Sequence, residues 1–442
     1  VNIKHLAILA FFLVGLPLSD VRAAQILFTP ELIVSEEYTD NIFLASKNAE
    51  DDYITTTGVN LTGQILSRTA GLELIYNPSY NMFANHTELN YWRHAGTARI
   101  WNDFQRNTRL ELTDNYLETE DPRDESRYDR TDTTTAIPDI ASDSDRQGRT
   151  RYRTNIAEAR LSHQFGANET IYGGIQHGLH EEIEPPAGVT REDYEKIQPF
   201  VGLGYYFTPQ FGVEIDGYFS NRNYADRNDR EEYFGVGRLL YNFTRNLASY
   251  VEYRHTFLDY RENTDNDYHI YAPSIGGRYR FERNAQIRVS VGYYVQDFDN
   301  TDVDEEGWTV FSELNKRWDF QSTYIDLTGG SGYEIDDTGM VDHGLNIYYM
   351  GRLEVGYNFT ARLLGAVFGG YRYDDFPDER PQRTDHAYNI GARIQYQILQ
   401  WMRLGLTYNH RNVTSDIEAE EYTENSVIFT ITVAPSAPFR LN

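Results

Sequence analysis

The sequence of 442 residues contains no cysteine. That excludes disulfide frameworks, thiolate zinc sites and cysteine nucleophiles. Positive charge is scarce: 40 Lys and Arg stand against 67 Asp and Glu, a net charge of −27. Such a chain repels nucleic acid, and no nucleic-acid partner is expected. Histidine numbers only 11, and no His-x-Ser pair suggests a barrel phospholipase. Beyond the N-terminus no window reaches 18 apolar residues, so no transmembrane helix is expected. Charged residues make up 24%, too few for a disordered polyampholyte. What is abundant is aromatic side chain and glycine: 35 Tyr, 23 Phe, 5 Trp and 33 Gly, with a mean hydropathy of −0.60. That mixture fits a sheet with an apolar medium on one side and water on the other.

Lys4 and His5 precede an apolar run from Leu6 to Leu16, which Pro17, Ser19 and Asp20 end before Val21-Arg22-Ala23. This pattern reads as a secretory signal peptide over residues 1–23, leaving 24–442 as the mature chain. The run is too short to span a bilayer, which takes about 20 residues.

The mature chain alternates by twos. Tyr388, Ile390, Ala392, Ile394, Tyr396 and Ile398 share one face, and Asn389, Gly391, Arg393, Gln395 and Gln397 the other. Side chains of a strand point alternately to its two faces. The same reading holds for Ile287, Val289, Val291, Tyr293 and Val295, for Met402, Leu404, Leu406 and Tyr408, and for Ile347, Tyr349, Leu353, Val355, Tyr357 and Phe359. The phrases Tyr205-Tyr206-Phe207-Thr208, Tyr241-Asn242-Phe243-Thr244, Tyr279-Arg280-Phe281-Glu282, Trp318-Asp319-Phe320-Gln321 and Tyr357-Asn358-Phe359-Thr360 recur, with Phe steps of 36, 38, 39 and 39 residues. One step is one hairpin of two membrane-spanning strands, and the aromatic pair at i and i+2 writes an interfacial girdle. Turns after these phrases are short; the opposite reversals are longer and acidic. The fold predicted is an all-β transmembrane antiparallel barrel of about 18–20 strands. The strand tally runs from 28–38 to 421–433, with both ends periplasmic and a blurred pattern over 89–119. The expected location is the bacterial outer membrane, with its lipid and lipopolysaccharide as surroundings and the barrel assembly machinery as a partner.

A resemblance sharpens this. The segment Phe28-Thr29-Pro30-Glu31-Leu32-Ile33-Val34-Ser35-Glu36-Glu37-Tyr38-Thr39-Asp40-Asn41-Ile42-Phe43-Leu44, continued by Asp51-Asp52-Tyr53-Ile54-Thr55, resembles the β-barrel porin family of the second type. The resemblance implies an outer-membrane channel, in a family often encoded beside exopolysaccharide export or PEP-CTERM/exosortase genes. It implies no solute and no catalytic residue. One feature departs from usual barrels: Ala434 to Asn442 follow the last strand, which sets Phe439 off its end.

No enzyme, cofactor or metal site is expected. Asp267-Tyr268-His269 and Asp302-Val303-Asp304 echo barrel proteases, but acidic loops yield such pairs by chance. Asp302, Asp304, Glu305 and Glu306 lack the glycine and terminal glutamate of a known calcium loop. Strand parity points Tyr172, Phe200, Tyr206, Phe234, Tyr294 and Tyr348 into the lumen, where they are candidate saccharide contacts. Arg238, Arg254, Arg288, Arg352 and Arg393 with Glu252, Glu313 and Glu354 are candidate lumen charges, either a field across the pore or ladders that fill its wall. The acidic loop 120–150 is expected to constrict or cover the mouth. Two functions fit: a porin-like channel for small solutes or saccharides, or an adhesive barrel with a closed lumen and partner-binding loops.

Overall fold

The computed structural model describes residues 24–127, 148–167, 169–183, 193–261, 267–282, 285–299, 305–336, 344–379 and 382–441. The expected signal peptide and most of loop 120–150 lie outside them. The described residues form one antiparallel sheet that closes on itself. Its strands are β1 (Gln25–Thr39), β2 (Asp52–Leu66), β3 (Ala70–Phe83), β4 (Tyr91–Phe104), β5 (Thr108–Thr119), β6 (Tyr152–Gln164) and β7 (Thr170–Glu182). They continue as β8 (Tyr194–Tyr206), β9 (Phe211–Tyr224), β10 (Arg230–Asn242), β11 (Leu247–Tyr260), β12 (Tyr268–Glu282), β13 (Ala285–Phe298) and β14 (Glu305–Asp319). The rest are β15 (Thr323–Asp336), β16 (Gly344–Thr360), β17 (Leu363–Phe376), β18 (Arg383–Leu399), β19 (Met402–Ser415), β20 (Tyr422–Val433) and a short β21 (Phe439–Leu441). Each strand from β1 to β20 pairs with the next, and β20 returns to β1. Closure removes sheet edges, so backbone groups within the bilayer are satisfied without water.

The alternation of sequence becomes an inside and an outside. Ile275, Val291, Val367 and Ile390 are exposed on the outer face, while Ser274, Ser290 and Arg238 on the opposite parity are buried. The recurring phrases build the lower girdle. Phe207, Phe243, Phe320 and Phe359 are exposed, and each of Tyr205–Phe207, Tyr241–Phe243 and Tyr357–Phe359 packs edge to face at 4.9–5.1 Å between centroids. The threonine that follows closes the turn. Thr208 Oγ1 accepts from Gln210 and Phe211 N–H, and Thr244 and Thr360 repeat the arrangement with Asn246 and Leu247 and with Arg362 and Leu363. A short polar side chain at this place satisfies the backbone of a tight turn.

Two expectations are corrected. Phe439 is not off the end: the chain breaks at 434–438, then β21 pairs with the start of β1, Phe439 opposite Phe28 and Leu441 opposite Ile26. The break carries Pro438, whose missing N–H cannot join a ladder. Second, Ile347 does not continue the exposed outer face; it is buried at the extracellular end. There the β14–β15 ladder stops at Ser312 opposite Ser331, and the upper ends of β15 and β16 pack on the inward face of β11–β14.

Candidate functional site

The lumen wall is a set of ion pairs, some across strands and some between residues two apart on one strand. The Arg238 Nε donates to Glu252, and its Nη1 donates to Asp216 at 3.2 Å. Arg254 Nε donates to the other Glu252 oxygen at 2.6 Å, and Arg278 Nη1 to Glu214 at 2.9 Å. Across the barrel, Glu354 takes Arg352 at 3.3 Å, Arg393 and the Tyr324 hydroxyl. Arg288 and Glu313 stand 3.7 Å apart between the two groups. The eight candidate lumen charges therefore divide into these three sets. Arg278 and Tyr324 were missed by sequence reading. Both follow the inward parity of their strands, so the signal was present.

The candidate aromatics are dispersed over the wall, and three of the six, Tyr172, Phe200 and Tyr348, carry a guanidinium on one face. Arg160 lies 4.1 Å from the Tyr172 ring centroid and 5.8 Å from that of Phe200; the Tyr172 hydroxyl donates to Asp216. Arg372 lies 5.2 Å from the Tyr348 centroid. Tyr206 accepts from Arg278 at 3.3 Å, and Phe234 stacks on Tyr218 at 4.9 Å. Tyr294 is buried in an apolar cluster with Leu258, Ile270, Phe311 and Leu345. Cation–π contacts of this kind cover ring faces that would otherwise meet water.

At the β1–β20 seam the segment Glu37 to Leu44 is tied to the neighbouring strands. Thr39 Oγ1 donates to Glu424 at 2.9 Å, Asp40 accepts from Asn425 N–H and side chain, and Asn41 donates to Ala45 and Thr423 carbonyls. Ile42 and Leu44 are buried, Leu44 against Ala387, Val413 and Tyr422. Both feet of loop 120–150 reach this segment. Arg123 binds Glu37 at 2.6 Å, Glu424 at 3.0 Å and Asp121 at 2.7 Å, and Arg149 Nε donates to the Ile42 carbonyl at 2.9 Å. Burial would raise the Asp121 pKa, but Arg123 and Arg149 reverse it and hold the carboxyl far below its ordinary value. The same carboxylates hold Arg123 charged against its own burial. The foot at Pro122–Arg127 thus crosses from the β4–β6 wall, where Asp124 meets Arg93 at 2.8 Å, to the β1–β20 closure.

Of the protease echo, the Asp267-Tyr268-His269 half lies among the described residues. Asp267 accepts from Tyr260 N–H to close its hairpin, and His269 stacks on Phe257 at 4.3 Å. Asp302 and Asp304 lie outside the described residues.

A closed barrel with an aromatic girdle and a charged lumen defines an outer-membrane porin fold. The family model described as "Putative beta-barrel porin 2" matches residues 213–434. The chain belongs to that family and to the bacterial outer membrane. The Glu37–Leu44 segment lies outside the matched residues. Similar solved structures include Pseudomonas aeruginosa OccK2 (OpdF), with 10% identity, a TM-score of 0.40, and 94% of this chain and 99% of that chain covered. Pseudomonas aeruginosa OccK3 (OpdO) gives 15% identity, a TM-score of 0.40 and coverage of 94% and 98%. Acinetobacter baumannii OccAB4 gives 12%, 0.39, and 93% and 98%. No curated protein matches the sequence.

Proposed function

We propose that the barrel is a channel for saccharides or similarly polar small solutes, working with an exopolysaccharide export system. The observation that carries this reading is the pairing of lumen rings with lumen ions: Arg160 over Tyr172 and Phe200, beside Asp216 and Arg238. Sugar rings present C–H faces that stack on aromatics, and their hydroxyls bond to carboxylates and guanidinium groups. A sugar would take the place of Arg160 or Arg372 on the ring it covers. The apolar packing in the mouth favours one other reading, a closed barrel whose loops bind a partner.

Planar-bilayer recording tests this. The protein should conduct, and neutral or acidic oligosaccharides should block the current. Tyr206→Ala with Tyr348→Ala should relieve the block while the protein remains heat-modifiable on gels. Conductance without block by any oligosaccharide leaves a general diffusion pore; absence of conductance in every form leaves the closed barrel.

A further inference from the structure

We propose that the extracellular ends of β15 and β16, over 331–336 and 344–350, are a gate that swings between the lumen and the barrel wall. The inference rests on the reading of the barrel as a channel. β14 pairs with β15 only from Asp319 opposite Tyr324 up to Ser312 opposite Ser331. Over Glu306–Phe311, β14 keeps its ladder with β13, while its ladder with β15 among the described residues begins only at Ser312. Two hydroxyls end the ladder: Ser331 Oγ meets Ser312 Oγ at 2.8 Å and donates to the Val310 carbonyl at 2.5 Å. A side chain thus caps the carbonyl where the next strand should continue.

Above that point β15 and β16 stay paired with each other, as do β16 and β17. Tyr333, Ile335, Leu345 and Ile347 have the parity of the lipid-facing residues below them, yet they pack on Leu258, Ile270, Tyr294 and Phe311 of β11–β14. The Tyr333 hydroxyl reaches Thr256 Oγ1 of β11, four strands away, at 3.2 Å. Asp378, beyond β17, accepts from Gln296 of β13 at 2.7 Å and from Leu345 N–H at 3.1 Å. The lipid-parity face of the hairpin therefore lies inside the barrel against the lumen wall. Its other face carries Asn346 and Glu334, which meet Asp374 and Arg372 of β17.

Glycines cross the sheet where the hairpin bends. Gly329 is opposite Gly351, and Arg352 and Leu353 are opposite Gly370 and Gly369. Strands without side chains at one level bend there at low steric cost. Swung outward, the hairpin would complete the β14–β15 ladder and return Ile347 to the outer apolar face. Each position thus satisfies the same apolar face, once against the lumen wall and once against lipid. That is the two-state element a gate needs.

The absence of cysteine makes the test direct. Thr256→Cys with Tyr333→Cys, cross-linked by a short bis-methanethiosulfonate, should hold the channel at its lower conductance, and reductant should restore the upper level. Ile347→Asp, which places a carboxylate in the apolar cluster, should favour the upper level without cross-linking. Heat-modifiability on gels reports folding, and the cross-linking result stands alone if Ile347→Asp fails to fold. A folded, cross-linked protein that conducts and switches as the free one does overturns the gate and leaves the channel. No current from any form, the cross-linked, reduced or Ile347→Asp protein included, overturns the channel and the gate with it.

Discussion

Single residues at the mouth do more than their sequence pattern announced. Glu37, Thr39, Asp40 and Asn41 carry a family resemblance in the sequence, but nothing in their order tells what they bind. Their partners Arg123, Glu424 and Asn425 are 86 to 385 positions away. Contacts of that range follow from barrel closure and are invisible to local reading. His86 shows the same limit. Its ring lies between Glu50 at 2.7 Å and Asp52 at 2.8 Å, joining the β1–β2 and β3–β4 connections. Hydrogen bonds to Asp52 and Glu50 raise its pKa above the ordinary value. The folded state therefore binds the proton more tightly than the unfolded chain. The stabilisation is complete below the unfolded pKa of about 6.5 and is lost as pH rises through the raised folded value. His86→Gln should lower the thermal unfolding midpoint more at about pH 5.5 than at about pH 9. A difference that does not change with pH would mean that the ring acts only as a neutral hydrogen-bond partner.

Elements were far more legible than contacts. The strand tally that opens at 28–38 and closes at 421–433 meets β1 at Gln25–Thr39 and β20 at Tyr422–Val433. Even the blurred stretch 89–119 resolves into β4 and β5. The reason is physical: between lipid and water each strand must alternate along its whole length, so its bounds are written in polarity. The β15–β16 hairpin is the exception, because the same alternation serves lipid and an inward apolar cluster equally well. Elsewhere the lipid face can be tested strand by strand. Ile275 on β12 is 66% exposed and lies midway between Tyr271 and Tyr279. Ile275→Arg should destabilise the barrel by about 2–4 kcal/mol, as for a cation at the bilayer midplane. Denaturant unfolding from lipid vesicles measures this, and an unchanged midpoint would contradict the placement of β12 in the membrane.

At the scale of the whole molecule the decisive feature is how the circle closes. β1 pairs with β20 only over Leu32–Thr39, and its first residues would be an open edge at the periplasmic rim. β21 covers Ile26–Phe28 after a break that begins where Ala434 N–H is given to the Trp401 carbonyl at 2.9 Å. The last strand is thus in two pieces, which is why sequence reading, expecting one continuous strand with an aromatic end, set Phe439 adrift. The role of this segment can be divided between backbone and side chain. Phe439 is 52% exposed, and the strand it sits in contributes through its ladder with β1. Deleting 435–442 should leave the edge of Ile26–Phe28 unpaired at the rim, where water takes over and each lost ladder bond costs about 0.5–1.5 kcal/mol. The deleted protein should therefore lose its folded, heat-modifiable gel band at a lower temperature than wild type. Phe439→Ala keeps the ladder and should keep that temperature. If Phe439→Ala instead slows membrane insertion at unchanged stability, the ring is read during assembly. A deletion as stable as wild type would mean that β20 alone closes the barrel.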